Sequence, residues 1–203
     1  MLRIGITGGI GTGKTTVCKI FELLGVPVFY ADSRAKELYN NNEDLKQKII
    51  QIFGKDMYTP SVLDETSLLF NKEKMKSIVF NDKRQLQRLN ELVHPIIKEE
   101  TEKWFAMQSG PYAVKEAALI VETNTFDTLD ELIIIESPMD IRMKRLRIRD
   151  HLSIEEINRR IQSQLPEEEK RKHATRIIVN DEKSLLIPQV LFLHHLFHSK
   201  SYS

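Results

Sequence analysis

A single cysteine, Cys18, occurs among the 203 residues, so no intrachain disulfide can brace this fold. No apolar run approaches the roughly 18 residues that a bilayer-crossing helix needs, and charged residues, 29% of the chain, interrupt every hydrophobic stretch. Neither sign of charge dominates. The 30 lysines and arginines meet 29 acids, which gives no reason to expect nucleic acid or an acidic membrane as principal partner. Any anion site must be a local arrangement. No basic, apolar, small-residue leader precedes Leu2, and the expectation is a soluble protein of a reducing cytoplasm. Repeats, low-complexity tracts and an obvious linker are also lacking, and the length suits one main domain with an appendage.

What is present alternates between strand-like and helix-like segments. Leu2 to Thr7 is a short β-type run ending at a glycine cluster, Lys14 to Leu24 has amphipathic helical spacing closed by Gly25, and Val26 to Tyr30 returns as a strand. Helical periodicity resumes over 33–39 and 43–53, followed by a polar stretch to Ser67 that carries little signal. Asp82 to Gln108 is helical in spacing, with a break expected near His94 because Pro95 follows. Tyr112 to Glu116 and Leu132 to Ile135 have the composition of buried strands, with a loop at 117–122 after the first, and Asp140 to Asp150 is a basic helix. Ser153 with Glu156 fits a capping box that opens a helix running to Gln164. A short helix over 167–174, a strand at Ile177 to Val179 and a closing helix over 183–197 complete the chain. The fold class expected is α/β: a central, mainly parallel five-stranded sheet covered by helices on both faces.

The glycine cluster carries the chemistry. Gly8-Gly9-Ile10-Gly11-Thr12-Gly13-Lys14-Thr15 has glycine, four residues, glycine, lysine and threonine between a predicted strand and a predicted helix, the pattern of a phosphate-binding loop. Glycines let backbone N–H groups approach phosphate oxygens, and the helix beginning at Lys14 aims its positive dipole end at the same place. Lys14 suits the β- and γ-phosphates of ATP, the Thr15 hydroxyl suits its Mg²⁺, and Thr16 suits the α-phosphate. A dinucleotide fingerprint, with Asp32 on a ribose hydroxyl, is disfavoured because lysine stands where close helix packing requires a small residue. A GTPase switch lacks its Asp-x-x-Gly, and Asn71-Lys72-Glu73-Lys74 lacks the aspartate of guanine recognition.

Outside the loop, two readings of Asp32 stand side by side: a carboxylate that takes an acceptor hydroxyl's proton, or a cap and dipole partner for the helix from Ser33. Arg142, Arg145 and Arg149 fall at i, i+3 and i+7, either a phosphate-facing stripe beneath a closing lid or a solvated basic face. His194, His195 and His198 are expected at the surface, Cys18 as a buried thiol and Trp104 as a packing residue. A nucleotide-binding regulator that hydrolyses ATP slowly is the rival from another class, and it leaves Asp32 and the arginines unexplained.

Read together, these segments resemble dephospho-CoA kinase over nearly the whole chain. Ile6 to Val17 is similar to that family's opening, Tyr30-Ala31-Asp32 to its Asp-Ala-Asp segment with tyrosine for the first aspartate, and Leu89 to Pro95 to its Leu-x-x-x-x-His-Pro signature. Glu116 to Glu122 resembles its Asp-Val-Pro-Leu-Leu-Phe-Glu segment, and Ala174 with Ile177 to Asn180 its late Ala-Asp-x-x-Ile-x-Asn. The resemblance implies transfer from ATP to the 3′-hydroxyl of dephospho-CoA, with Asp32, Lys14, Arg145 and Arg149 catalytic. Gly9, Gly11, Thr12, Gly13, Lys14, Thr15, Thr16 and Asn180 then bind ATP, with Asn180 near the adenine. His94, Glu122 and Arg142 join Asp32 on the acceptor; a second reading has His94 cap the helix break and Glu116 and Glu122 serve as packing or capping residues. A core of about 1–54, 111–139 and 174–203, an all-helical acceptor region of about 55–110 and a lid of about 140–173 are implied. So is a monomer or weak homo-oligomer whose partners are small molecules.

Overall fold

A computed structural model describes residues 1–60, 68–79 and 82–201. In chain order the elements begin β1 (Leu2–Thr7), α1 (Lys14–Leu23), β2 (Val28–Tyr30), α2 (Ala31–Asn41), α3 (Glu43–Phe53), β3 (Tyr58–Pro60) and β4 (Leu68–Phe70). They continue with α4 (Lys72–Val79), α5 (Lys83–Ala106), β5 (Tyr112–Glu116), β6 (Glu131–Glu136), α6 (Met139–Asp150), α7 (Ile154–Gln162), α8 (Glu167–Arg171), β7 (Arg176–Val179) and α9 (Leu186–Lys200). The residues fall into two compact units, Met1–Tyr30 together with the chain from Trp104 onward, and Ala31–Lys103.

The first unit is built on a five-stranded sheet in the order β2-β5-β1-β6-β7, every pairing parallel. Its strands are apolar on both faces: Ile4, Ile6, Val114, Ile133, Ile135 and Ile178 are buried with Val17, Cys18 and Phe21 of α1 and Val190, Leu193 and Phe197 of α9, and Ala113, Leu132 and Ile134 on the opposite face are buried as well. β5 lies between β1 and β2, so the βαβ unit predicted at the start of the chain skips one strand position. β2 begins at Val28 and not Val26, since Pro27 has no N–H for a ladder, although its carbonyl accepts from Val114 N at 3.0 Å. The end of α1 follows expectation: Gly25 sits at φ +79° and donates to Glu22 O at 2.9 Å. All four carboxyl ends that matter for ligands, those of β1, β5, β6 and β7, open on the same edge of the sheet, where parallel α/β folds bind theirs.

The second unit has its own core, with Leu38, Leu45, Ile49, Met57, Tyr58, Met75, Leu89 and Val93 buried. Asn42 caps α3 by accepting from Leu45 N at 2.9 Å. Two expectations fail here. The region is not all helical, because β3 and β4 form an antiparallel pair held by stacking of Tyr39 on Phe70 and a 2.9 Å bond from the Tyr58 hydroxyl to Tyr39 O. Nor does the helix break near His94: α5 runs through Pro95 for 24 residues. Proline removes one backbone donor, but Leu89 and Val93 before it and Ile96 and Ile97 after it pack on the same core and hold both halves in line. The unit starts at Ala31, so α2 and α3 share a core with α4 and α5.

Candidate active site

The turn from β1 to α1 is shaped by positions only glycine tolerates well. Gly13 has φ +93° and precedes a helix whose first turn has neither a side-chain cap nor an acidic residue, an N-terminus suited to an anion. A Cβ on Gly13 would collide with the Asn180 side-chain amide, and one on Gly8 would meet Ile135 O at 2.5 Å. Inside the turn, the buried Thr12 hydroxyl donates to Gly9 O at 2.9 Å, and Lys14 folds back so that Nζ lies 3.1 Å from Gly8 O and 3.4 Å from Gly9 O. Thr15 and Thr16 stand exposed on the first turn of α1.

The arginines of α6 take three different environments. Arg145 is the hub: its guanidinium reaches Ser137 Oγ (3.2 Å), Gly11 O (3.4 Å), Asn180 Oδ1 (3.1 Å) and Glu182 Oε1 (3.4 Å). Asn180, which follows β7, donates to Thr12 O at 2.7 Å. Arg149 is mostly exposed and pairs with Asp150, whose carboxyl it holds below the ordinary carboxylate range. Arg142 is 2% exposed, with Nε donating to Ile10 O at 2.9 Å and a close ion pair to Glu167. A cavity of about 430 Å³ opens between Gly11, Gly13 and Thr16 on one side and Arg145, Ile148 and Leu186 on the other. Its rim is basic apart from Glu182, and Ile148 and Leu186 give it apolar walls, a lining suited to a nucleotide.

The dephospho-CoA kinase (CoaE) family model matches residues 2–185, which span this whole arrangement. The chain belongs to the dephospho-CoA kinase family. A dephospho-CoA kinase from Bacteroides fragilis is 30% identical over 200 residues, covering 98% of this chain and 94% of that one. One from Coxiella burnetii is 33% identical over 196 residues, covering 96% of each. The solved dephospho-CoA kinase from Campylobacter jejuni is 25% identical, with a TM-score of 0.68 and 98% of both chains covered. The family's reaction is phosphorylation of dephospho-CoA by ATP.

Gly9, Gly11, Thr12, Gly13, Lys14, Thr15, Thr16, Arg145 and Asn180 all lie in the first unit, around the turn from β1 to α1. Arg142 and Glu122, which the resemblance assigns to the acceptor, are engaged by protein groups. Arg142 is enclosed against the loop, and Glu122 Oε1 holds Lys170 Nζ at 2.7 Å and accepts from Leu165 N at 3.1 Å, which ties residues 165–170 to the segment after β5. Asp32 is exposed at the second position of α2, inside the first turn, so it is not the cap of a helix starting at Ser33. His94 is exposed within an unbroken α5, which removes its role as a cap. Trp104 packs between Phe29 and Phe105, and burial pushes the Cys18 thiol well above its ordinary pKa, as befits an inert side chain. His195 and His198 are exposed while His194 bonds the Tyr112 hydroxyl at 2.7 Å, and among the described residues no group of three His, Cys, Asp or Glu could hold a metal. Sequence reasoning does not reach Ser137, Gln164, Glu167 and Glu182, which the structure marks by their contacts with Arg145, Ile10 and Arg142.

Proposed function

We propose that this chain transfers the γ-phosphoryl group of ATP to the 3′-hydroxyl of dephospho-CoA, giving coenzyme A and ADP. The observation that carries the reading is the uncapped α1 N-terminus after left-handed Gly13, with Lys14 folded over the turn and Arg145 fastened to it. Backbone donors of the loop and of the start of α1, such as those of Gly13, Lys14 and Thr15, hold the triphosphate, and Lys14 and Arg145 neutralise charge that spreads over the γ-phosphoryl oxygens in the transition state. Arg149 adds a cation at the cavity's rim.

The donors near the loop fit Mg²⁺: the exposed Thr15 hydroxyl and the Glu116 carboxylate at the end of β5 are hard oxygen ligands, suited to direct or water-mediated binding. Mg²⁺ supplies charge neutralisation on the β- and γ-phosphates when bound. Asp32 accepts the acceptor's hydroxyl proton and orients its oxygen for in-line attack, and His94 contributes to acceptor binding. The region of about 55–110 binds the acceptor, residues of about 140–173 form the lid, and Asn180 and the cavity beside it take the adenosine end of ATP. The protein acts on small molecules in the cytoplasm, as a monomer or weak homo-oligomer, without nucleic acid or membrane; among the described residues no helix is long and apolar enough to cross a bilayer.

Incubation with Mg·ATP and a panel of alcohols, including dephospho-CoA, shikimate and nucleosides, tests this. ADP formation that depends on dephospho-CoA supports the reading; dependence on another alcohol, or ADP made equally without any, contradicts it.

A further inference from the structure

Both polar groups of the Ile10 peptide unit's residue are held by side chains from far along the chain. Its N–H donates to Gln164 Oε1 at 2.8 Å, and its carbonyl accepts from Arg142 Nε at 2.9 Å. Ile10 is the third residue of the phosphate loop and is flanked by glycines; Thr12 and Lys14 hold the neighbouring Gly9 carbonyl from within the loop, whereas the Ile10 N–H and carbonyl are held from outside it.

The group that reaches it is itself anchored. Directly after Gln164, Leu165 N donates to Glu122 Oε1 at 3.1 Å, and fully buried Lys170 pairs with the same oxygen at 2.7 Å while also approaching Ala118 O at 3.4 Å. Glu167, between them, is paired with Arg142 beside Gly9, where an added Cβ would lie 3.0 Å from the Glu167 carboxylate. Residues 164–170 therefore form a strap fastened to the segment after β5 at Glu122 and to α6 at Arg142, and Gln164 is presented to the loop from it.

We infer that Gln164 is a positioning residue for ATP binding: together with Arg142 it clamps the Ile10 peptides and keeps the leading corner of the loop in its phosphate-binding shape before nucleotide arrives. A loop held in shape avoids the ordering cost of fixing backbone dihedrals on binding. The inference rests on the loop being the ATP site, but it adds a residue and a role that the loop motif does not contain.

Gln164→Ala and Gln164→Leu, which removes the acceptor while keeping bulk, test it. Expected in both is an ATP KM raised about two- to tenfold, the range of one net hydrogen bond. The dephospho-CoA KM and kcat should stay within about twofold, and the Ile10 amide should exchange with solvent about tenfold faster while β1 and β6 amides keep their protection. An unchanged ATP KM in either folded variant overturns the role, as does an equal rise in both KM values, which would mean general damage. Wild-type protein that makes no ADP with dephospho-CoA defeats the functional reading instead, and faster Ile10 exchange in the variants would then still support the clamp as structure.

Discussion

Asn180 joins Arg145 to the phosphate loop: its oxygen accepts from Arg145 Nη2 at 3.1 Å while its amide donates to Thr12 O at 2.7 Å. An end-of-strand side chain thereby fixes both the loop and the cation that serves it. Asn180→Ala leaves the Thr12 carbonyl and part of the Arg145 guanidinium without these partners. Expected are a loss of about 1–3 kcal/mol in unfolding free energy and a rise of about tenfold in the ATP KM. Asn180→Asp should be no better, because a carboxylate cannot donate to a carbonyl; chemical denaturation and steady-state kinetics check both.

Lys14→Ala removes the ammonium that the loop holds over Gly8 and Gly9. Turnover should fall by about a hundred- to a thousandfold, the scale of losing one group that stabilises transition-state charge, with little change in melting temperature.

Asp32→Asn keeps size and polarity but cannot take a proton. Turnover should fall about a hundredfold or more while the ATP dissociation constant, measured by calorimetry, stays within about twofold. Parallel loss of ATP binding would mean that the carboxylate serves the nucleotide and not the acceptor.

Gly13→Ala places a methyl group at φ +93° and against the Asn180 amide. Left-handed geometry alone costs about 1–2 kcal/mol in a residue with a Cβ. ATP binding should be lost although the circular dichroism of the fold is retained.

Glu131 opens β6 and is paired with Lys200 and Arg176 at the sheet end away from the site. Burial by itself raises its pKa, but hydrogen bonds from Lys200 and Thr175 outweigh burial and hold the carboxyl below the ordinary range. With the folded pKa depressed, its stabilisation is present above the unfolded value of about 4.3 and is lost as pH falls through the folded value. Melting temperature should drop between about pH 5 and pH 3, and Glu131→Gln should lower stability at pH 7 and flatten that acid limb. An unaltered limb in the variant would assign the effect to other carboxylates.

The strand, glycine turn and helix at the start of the chain were legible because their signals are local: glycine spacing, then lysine and threonine. The Ser153–Glu156 capping box was legible for the same reason, and both of its bonds form. Pro95 misled because its local penalty is overridden by packing from Leu89 to Ile97, which no short window displays. β3 and β4 have three residues each, too few for alternation to register. In the site, charge was readable but its use was not: Arg142 and Glu122 have the residue types of ligand contacts, and only their partners, Glu167 and Lys170, show that they hold the loop and the strap together. Gln164 lies 154 positions from Ile10, a separation at which a lone glutamine carries no signal in sequence.

The most direct test follows the phosphorus atom. With ATP labelled in its γ-phosphate and dephospho-CoA as acceptor, label should appear on the ribose 3′-oxygen of coenzyme A in amounts equal to ADP. Label released as inorganic phosphate at the same rate with and without dephospho-CoA would contradict it.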